Sequence, residues 1–365
     1  LRVLCVVALI AAAACGPFGG APGRGPGAGA VGGHGATTPS PTPGHTATGP
    51  AAVLLQLASA DSYAISLVFD DGHVVGPVTA RLRTVTPPPG AAVPIAMPVF
   101  SASDSRLYYL DGDDVVRYLD LDGGRGAVGR VPGGPHAQAG FAVSPDDRRI
   151  AVAAVDYSSD PPTTRQYVED VAGGANHVEL PFPVGANVWP VGWHGAEVVL
   201  AVGSAPTQSV AGNPYGTFAG YELIDSTTGG RLGALPCDPT GELTPAGSAC
   251  LVGGSPLQVE DFAGRTRSLS GGAPASIVSA AEAPDGAHVA FCCADGQLQL
   301  WDVVGGSVSS LGPVDSPDYG WIDATHLLVS DRLADHARVM DVAAGTSLPA
   351  AATQGRVVAR VPGGF

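Results

Sequence analysis

The sequence predicts an all-β fold, a ring of about seven four-stranded blades, and three observations predict it. The first is a repeated element: an apolar strand ending at aspartate, a short turn, then another short strand. Its copies reach Asp70, Asp120, Asp170, Asp225, Asp261, Asp302 and Asp341, at intervals of about 36 to 55 residues. The second is a tight turn that precedes the strand leading into a copy. Ser144-Pro145-Asp146-Asp147 precedes RRIAVAAV, Thr244-Pro245-Ala246-Gly247 precedes SACLVGG, and Ala283-Pro284-Asp285-Gly286 precedes AHVAFCC. Proline presets its own backbone angle, and glycine or aspartate tolerates the tight conformation of the next positions. The third is that strands such as AHVAFCC and AEVVLAV are apolar at nearly every position, as strands buried on both faces are. A unit of about 45 residues with four short strands is the pattern of a β-propeller.

Each element has its place in that scheme. Ser101-Ala102-Ser103-Asp104 leads into SRLYYL as a looser version of the turn. Gly192-Trp193-His194-Gly195 and Gly320-Trp321-Ile322-Asp323 replace it in two further units. A single sheet exposes two apolar faces, and stacking sheets around an axis buries both. Closing such a ring usually takes strands from both ends of the chain, so RVVARV (Arg356 to Val361) is expected to pair with the blade containing Tyr63 to Val68. The first unit is degenerate, so six and eight blades are the neighbouring counts.

These motifs resemble the WD40-like propellers of the bacterial cell envelope, including the blades of TolB-type proteins. The resemblance runs from about residue 51 to residue 365, and Trp301-Asp302 is a literal WD dipeptide. It implies that the proline turn joins the first two strands of a blade and that the aspartate closes the third. The Gly-His pair of eukaryotic WD40 repeats is absent, so their buried hydrogen-bond network is not assumed. The resemblance speaks for a fold and names no activity.

The segment before the repeats reads as an address. In LRVLCVVALIAAAAC one arginine precedes a short apolar run, and small residues lead to Cys15, which Gly16 follows. A charged start, a short apolar run and small residues before the cut is the signal-peptide pattern, and the run is too short to span a bilayer. Residues 1–15 resemble a signal peptide ending in the lipobox of bacterial lipoproteins, with Ala12 where that motif usually has leucine. The resemblance implies lipidation of Cys15; an ordinary secretory signal cleaved near Ala14 is the alternative. Either way export is expected, to the outer face of the cytoplasmic membrane or elsewhere in the envelope. Residues 16–50, rich in Gly, Pro and Thr, have almost nothing apolar to bury and are expected to form a disordered tether. Residues 51–365 are the expected propeller.

Composition excludes some functions. The formal net charge is −15, and the 18 basic residues, all arginine, cluster nowhere beyond Arg148-Arg149. Binding nucleic acid needs a basic face that neutralises phosphates, so it is not expected.

No catalytic, cofactor-binding or metal constellation emerges. The repeated aspartates are expected to cap turns by accepting backbone N–H bonds. Asp111-Gly112-Asp113-Asp114, with Asp120 and Asp122, is rich in the oxygen that calcium prefers but lacks the EF-hand order. It is read as a solvated loop. His73, His136, His177, His194, His288, His326 and His336 form no close-spaced metal pair and do not share a position in the repeat. There is no GxSxG elbow. Tyr108, Tyr109, Trp189 and Trp193 are expected to pack.

Export permits disulfides, and Cys237 and Cys250 are the candidate pair. Cys292 and Cys293 face opposite sides of one strand, so at least one is expected as a buried thiol. The leading functional expectation is a monomeric, tethered propeller, without cofactor, that binds a protein or envelope ligand. The longest loops, 156–164 and 204–217, are the expected contact region. The competing expectation is an extracytoplasmic hydrolase, lyase or lactonase with its site in the axial funnel. Several converging ionisable side chains there would mark the enzyme.

Overall fold

The computed structural model describes residues 49–365 apart from internal stretches, of which 204–217 is the longest. Every regular element among the described residues is a strand, and the strands form seven four-stranded antiparallel sheets. Blade 1 has the order Arg356–Val361, Ala51–Ser59, Ser62–Phe69, Val74–Arg81 from first strand to fourth. The other six are consecutive along the chain, within 100–130, 137–179, 188–235, 238–268, 277–313 and 319–349. The seven-bladed propeller expected from the repeat is therefore present. The ring closes as expected too: Ala51 pairs with Val361, Val53 with Ala359 and Leu55 with Arg356.

Each blade interface holds its own apolar cluster, and period-2 alternation distributes the side chains between them. In Ala51–Ser59, Ala51, Val53 and Leu55 pack toward blade 2, while Ala52 and Leu54 pack toward blade 7. The same division recurs around the ring in seven clusters. This explains strands without polar alternation: Glu197–Gly203 and Arg149–Asp156 lie inside blades that have a neighbour on either side. The fourth strands have none beyond them. Thr346–Pro349 and Thr266–Ser268 are exposed throughout.

The two repeated motifs fall where the resemblance implied. The proline turn of 144–147 joins Ala137–Val143 to Arg149–Asp156, the first and second strands of blade 3. Asp120, Asp170, Asp225, Asp302 and Asp341 are the last residues of third strands. All these turns lie on one side of the ring, here the turn face. In four copies the aspartate caps its turn as expected. Oδ1 of Asp225, Asp261, Asp302 and Asp341 each accepts two backbone N–H bonds from the turn, at 2.7 to 3.0 Å.

The remaining three do something else. Asp120 takes the Arg106 guanidinium at 2.6 Å, and Asp170 takes the Asn176 side-chain amide at 2.8 Å. At Asp70 the cap passes to Asp71, which accepts from the His73 N–H.

The two Gly-Trp turns carry a substitute for the proline. The buried indole of Trp193 donates to the Ala142 carbonyl of the preceding blade at 3.1 Å, and Trp321 donates to Ala281 at 2.9 Å. The same side chain thus ties blade 4 to blade 3 and blade 7 to blade 6. Trp301 of the WD dipeptide is also buried, but its indole nitrogen has no partner among the described residues.

Candidate functional site

The first strands surround the axis, and where they end on the turn face they form a narrow mouth. Phe100–Ala102 of blade 2, Val188–His194 of blade 4 and Arg356–Val361 of blade 1 contribute to it. A cavity of about 30 Å³, room for about one water, lies among Phe100, Ser101, Val191, Tyr221, Leu243 and Val358. Ala102, Ala359, Arg360, Gly363 and Phe365 complete its wall, so Arg360 is the only charged group among the described lining residues.

What fills the mouth is the chain itself. From Val361 the segment 362–365 crosses from blade 1 toward blade 4. The Gly363 N–H donates to the Ser103 carbonyl at 2.9 Å, and the Arg360 guanidinium donates to the Gly364 carbonyl at 3.0 Å. The Gly364 N–H faces the Asp104 carboxylate. The Phe365 N–H donates to the Trp193 carbonyl at 2.8 Å, and His194 Nδ1 donates to the Phe365 backbone oxygen at 2.7 Å. The Phe365 ring packs against the apolar cluster that holds Trp189, Tyr221 and Leu243, and lines the cavity with Val191. It fits because residue 192 is glycine: a Cβ there would stand 2.3 Å from the ring. Burial and the neighbouring Asp147 push the Asp104 carboxyl above its ordinary range, against Arg360 and the Gly364 N–H, which lower it.

Beside the mouth the turns of blades 4 and 5 enclose an open depression of about 530 Å³. His194, Glu197, Pro245, Asp261 and Arg265 line it, and Phe262 stacks on His194 with ring centroids 3.9 Å apart. Arg265 is paired with Asp261 at 2.7 Å.

The structure disperses the other candidates. His136 donates to the Thr86 carbonyl, His177 bridges Glu169 and Glu179 on blade 3, and His288 stacks on Trp321. The acidic stretch is engaged by arginines rather than only by solvent. Asp111 takes Arg81 and Arg117, and Asp114 takes Arg83. Tyr108, Tyr109, Trp189 and Trp193 are all buried. Cys292 is a buried thiol. Cys250 is disulfide-bonded; Cys237 and the loop 204–217 lie outside the described residues, as does Cys15.

Two groupings carried no signal in the sequence. Ring closure brings Asp70 of blade 1 to Asp323 and His326 of blade 7, with one donor atom of each within 4.8 Å of the others. Asp323 is already occupied: it accepts the Thr325 and His326 N–H groups, and its Oδ2 lies 2.8 Å from His326 Nδ1. Burial raises this carboxyl, but those bonds hold it below its ordinary range. It caps a turn.

The second is Glu282, the last residue of Ile277–Glu282, which is 4 % exposed and has no partner for Oε2 among the described residues. Burial, with Asp261 and Asp285 adding to it, pushes this carboxyl from 4.5 up to about 8. Between those values the folded protein keeps a proton that the unfolded chain has released, so stability falls as pH rises through the window. Glu282→Gln, which has nothing to ionise, is expected to gain on the wild type in Tm between pH 5 and pH 8. A gap that stays constant with pH would show that Glu282 is ionised in the fold.

No protein-family model matches the chain, and no curated protein matches it. Among solved structures it is similar to an oligogalacturonate lyase in complex with manganese, at 13 % identity and TM-score 0.48, covering 76 % of this chain and 85 % of that one. It is also similar to apo AztD from Citrobacter koseri, at 15 % identity and TM-score 0.40, covering 85 % and 98 %. The C-terminal WD40 domain of Sif2 aligns at 15 % identity and TM-score 0.40, covering 72 % and 86 %. The blade count follows from the strand pairing and needs none of these likenesses.

Proposed function

We propose that this chain is a membrane-tethered, extracytoplasmic propeller of the envelope WD40-like kind that binds a protein or envelope ligand. The observation that carries the reading is the chemistry of the mouth. The described lining of its cavity is mostly apolar side chain and backbone with one arginine, and what occupies the mouth is a peptide segment held by backbone hydrogen bonds, with Asp104 and His194 beside it. General acid–base or nucleophilic chemistry asks for several ionisable groups converging on one pocket; apolar anchoring and main-chain pairing are the means of peptide recognition.

The location rests on sequence and redox chemistry. The run ending at Cys15 has the signal-peptide pattern, with lipidation of that cysteine, and 16–50 supplies the tether. A disulfide at Cys250 suits an oxidising compartment, and its partner in this reading is Cys237. Cys15→Ala is expected to move the protein from the membrane fraction of cells to the soluble one; unchanged partitioning would remove the anchor. Mild crosslinking on intact cells is expected to capture a partner. Recovery of none, together with turnover of an ester or lactone panel, would replace binding by enzymatic function.

A further inference from the structure

We infer that the mouth of the axis on the turn face is a peptide-binding groove whose occupant in this structure is the chain's own segment 362–365, held in place of a partner segment of the same chemistry. That chemistry is a short stretch with glycine two residues ahead of an aromatic one. The inference deepens the binding reading above and rests on it.

Four observations carry it. First, the segment is bound as a peptide ligand is: Gly363 and Phe365 each donate a backbone N–H to a blade carbonyl, and the Gly364 and Phe365 oxygens accept from Arg360 and His194. Second, the residue two before the anchor must be small. A Cβ at Gly363 would stand 2.3 Å from the Ala102 carbonyl oxygen, which is backbone and cannot swing aside. Third, the anchor has a made seat, with Gly192 against the ring and Val191, Tyr221 and Leu243 lining the same cavity. Fourth, the segment completes no sheet: the ladder that closes blade 1 ends at Val361. Its contacts run instead to the first-strand ends and turns of blades 2, 3 and 4, through Ser103, Pro145 and Trp193.

A depression adjoins the groove. His194, which holds the Phe365 oxygen, lines the 530 Å³ depression with Glu197 and Asp261. A partner chain running on beyond its aromatic anchor would enter that depression.

A segment joined to the groove by the chain competes at a high effective concentration, in the millimolar range for a short flexible connection. A partner must therefore displace it, and its removal should expose the site.

The test uses the synthetic peptide Val-Pro-Gly-Gly-Phe, labelled at its N-terminus, against the full chain and the chain lacking 362–365. The shortened chain is expected to bind the peptide saturably and at least tenfold more tightly than the full chain. Replacing the peptide's Phe by Ala, or introducing Gly192→Ala into the shortened chain, is expected to abolish binding. Phe365→Ala in the full chain keeps the backbone bonds, loses the anchor, and gives a second protein for the same titration should the shortened one misfold. A folded protein that binds no peptide, or equal binding by full and shortened chains, overturns the inference. That failure is distinct from failure of the binding reading, because a partner crosslinked on intact cells to the opposite face of the ring would leave the latter standing.

Discussion

Deleting residues 356–365 is expected to abolish cooperative folding, whereas deleting 362–365 alone leaves the propeller standing. The difference lies in what each deletion uncovers. Arg356–Val361 is the first strand of blade 1, and five register pairs join it to Ala51–Leu55. Val357, Val358 and Val361 are 8 %, 2 % and 0 % exposed, and they serve the interfaces of blade 1 with both blade 7 and blade 2. Burying one valine fully is worth on the order of 1.5–3 kcal/mol. Three of them, with a lost ladder, approach the whole stability of a domain, about 5–15 kcal/mol. The loss also falls on the one blade assembled from both ends of the described chain, so the ring opens there. Circular dichroism and denaturant titration check it. A sigmoidal transition with an unchanged midpoint after the longer deletion would show that the ring does not depend on this strand.

The same strand shows why the architecture was legible in the sequence. The aspartates recur because each third strand ends at a turn of similar geometry, and four of them bond that turn's N–H groups directly. The spacing therefore reports blades, even where Asp120 and Asp170 have taken side-chain partners instead. RVVARV was recognisable as a closing strand because a ring of blades usually closes with strands from both ends of the chain.

The mouth was not legible. Pro-Gly-Gly-Phe shows no strand alternation, and its meaning depends on Gly192, Trp193 and His194, the last of them 171 residues away from Phe365. Glu282 was hidden for a related reason: it sits where the turn of its own blade at Gly286 approaches Ala246 in the turn of the neighbouring blade. A pattern within one repeat reports that repeat. Sites between blades need the ring.

Trp193→Ala is expected to cost about 3–5 kcal/mol, the usual range for truncating a buried aromatic to alanine. Its indole is 2 % exposed among Ala142, Val168, Leu180, Val198 and Ile224, so the cavity left behind would sit between blades 3 and 4 with rigid strands on both sides. Trp193→Phe separates packing from hydrogen bonding. It keeps most of the ring volume and loses only the N–H bond to Ala142, worth about 1 kcal/mol. The two variants should therefore differ by a few kcal/mol in urea titrations at equal m-value. Their effects should also reach the mouth, because the Trp193 carbonyl receives the Phe365 N–H. With Trp193→Ala the loosened strand is expected to release segment 362–365, read as faster proteolysis there. With Trp193→Phe the strand stays seated and the segment remains protected. Equal stability losses in the two variants would mean that the indole acts through its hydrogen bond rather than its bulk, and that Trp193 and Trp321 are ties between blades rather than packing.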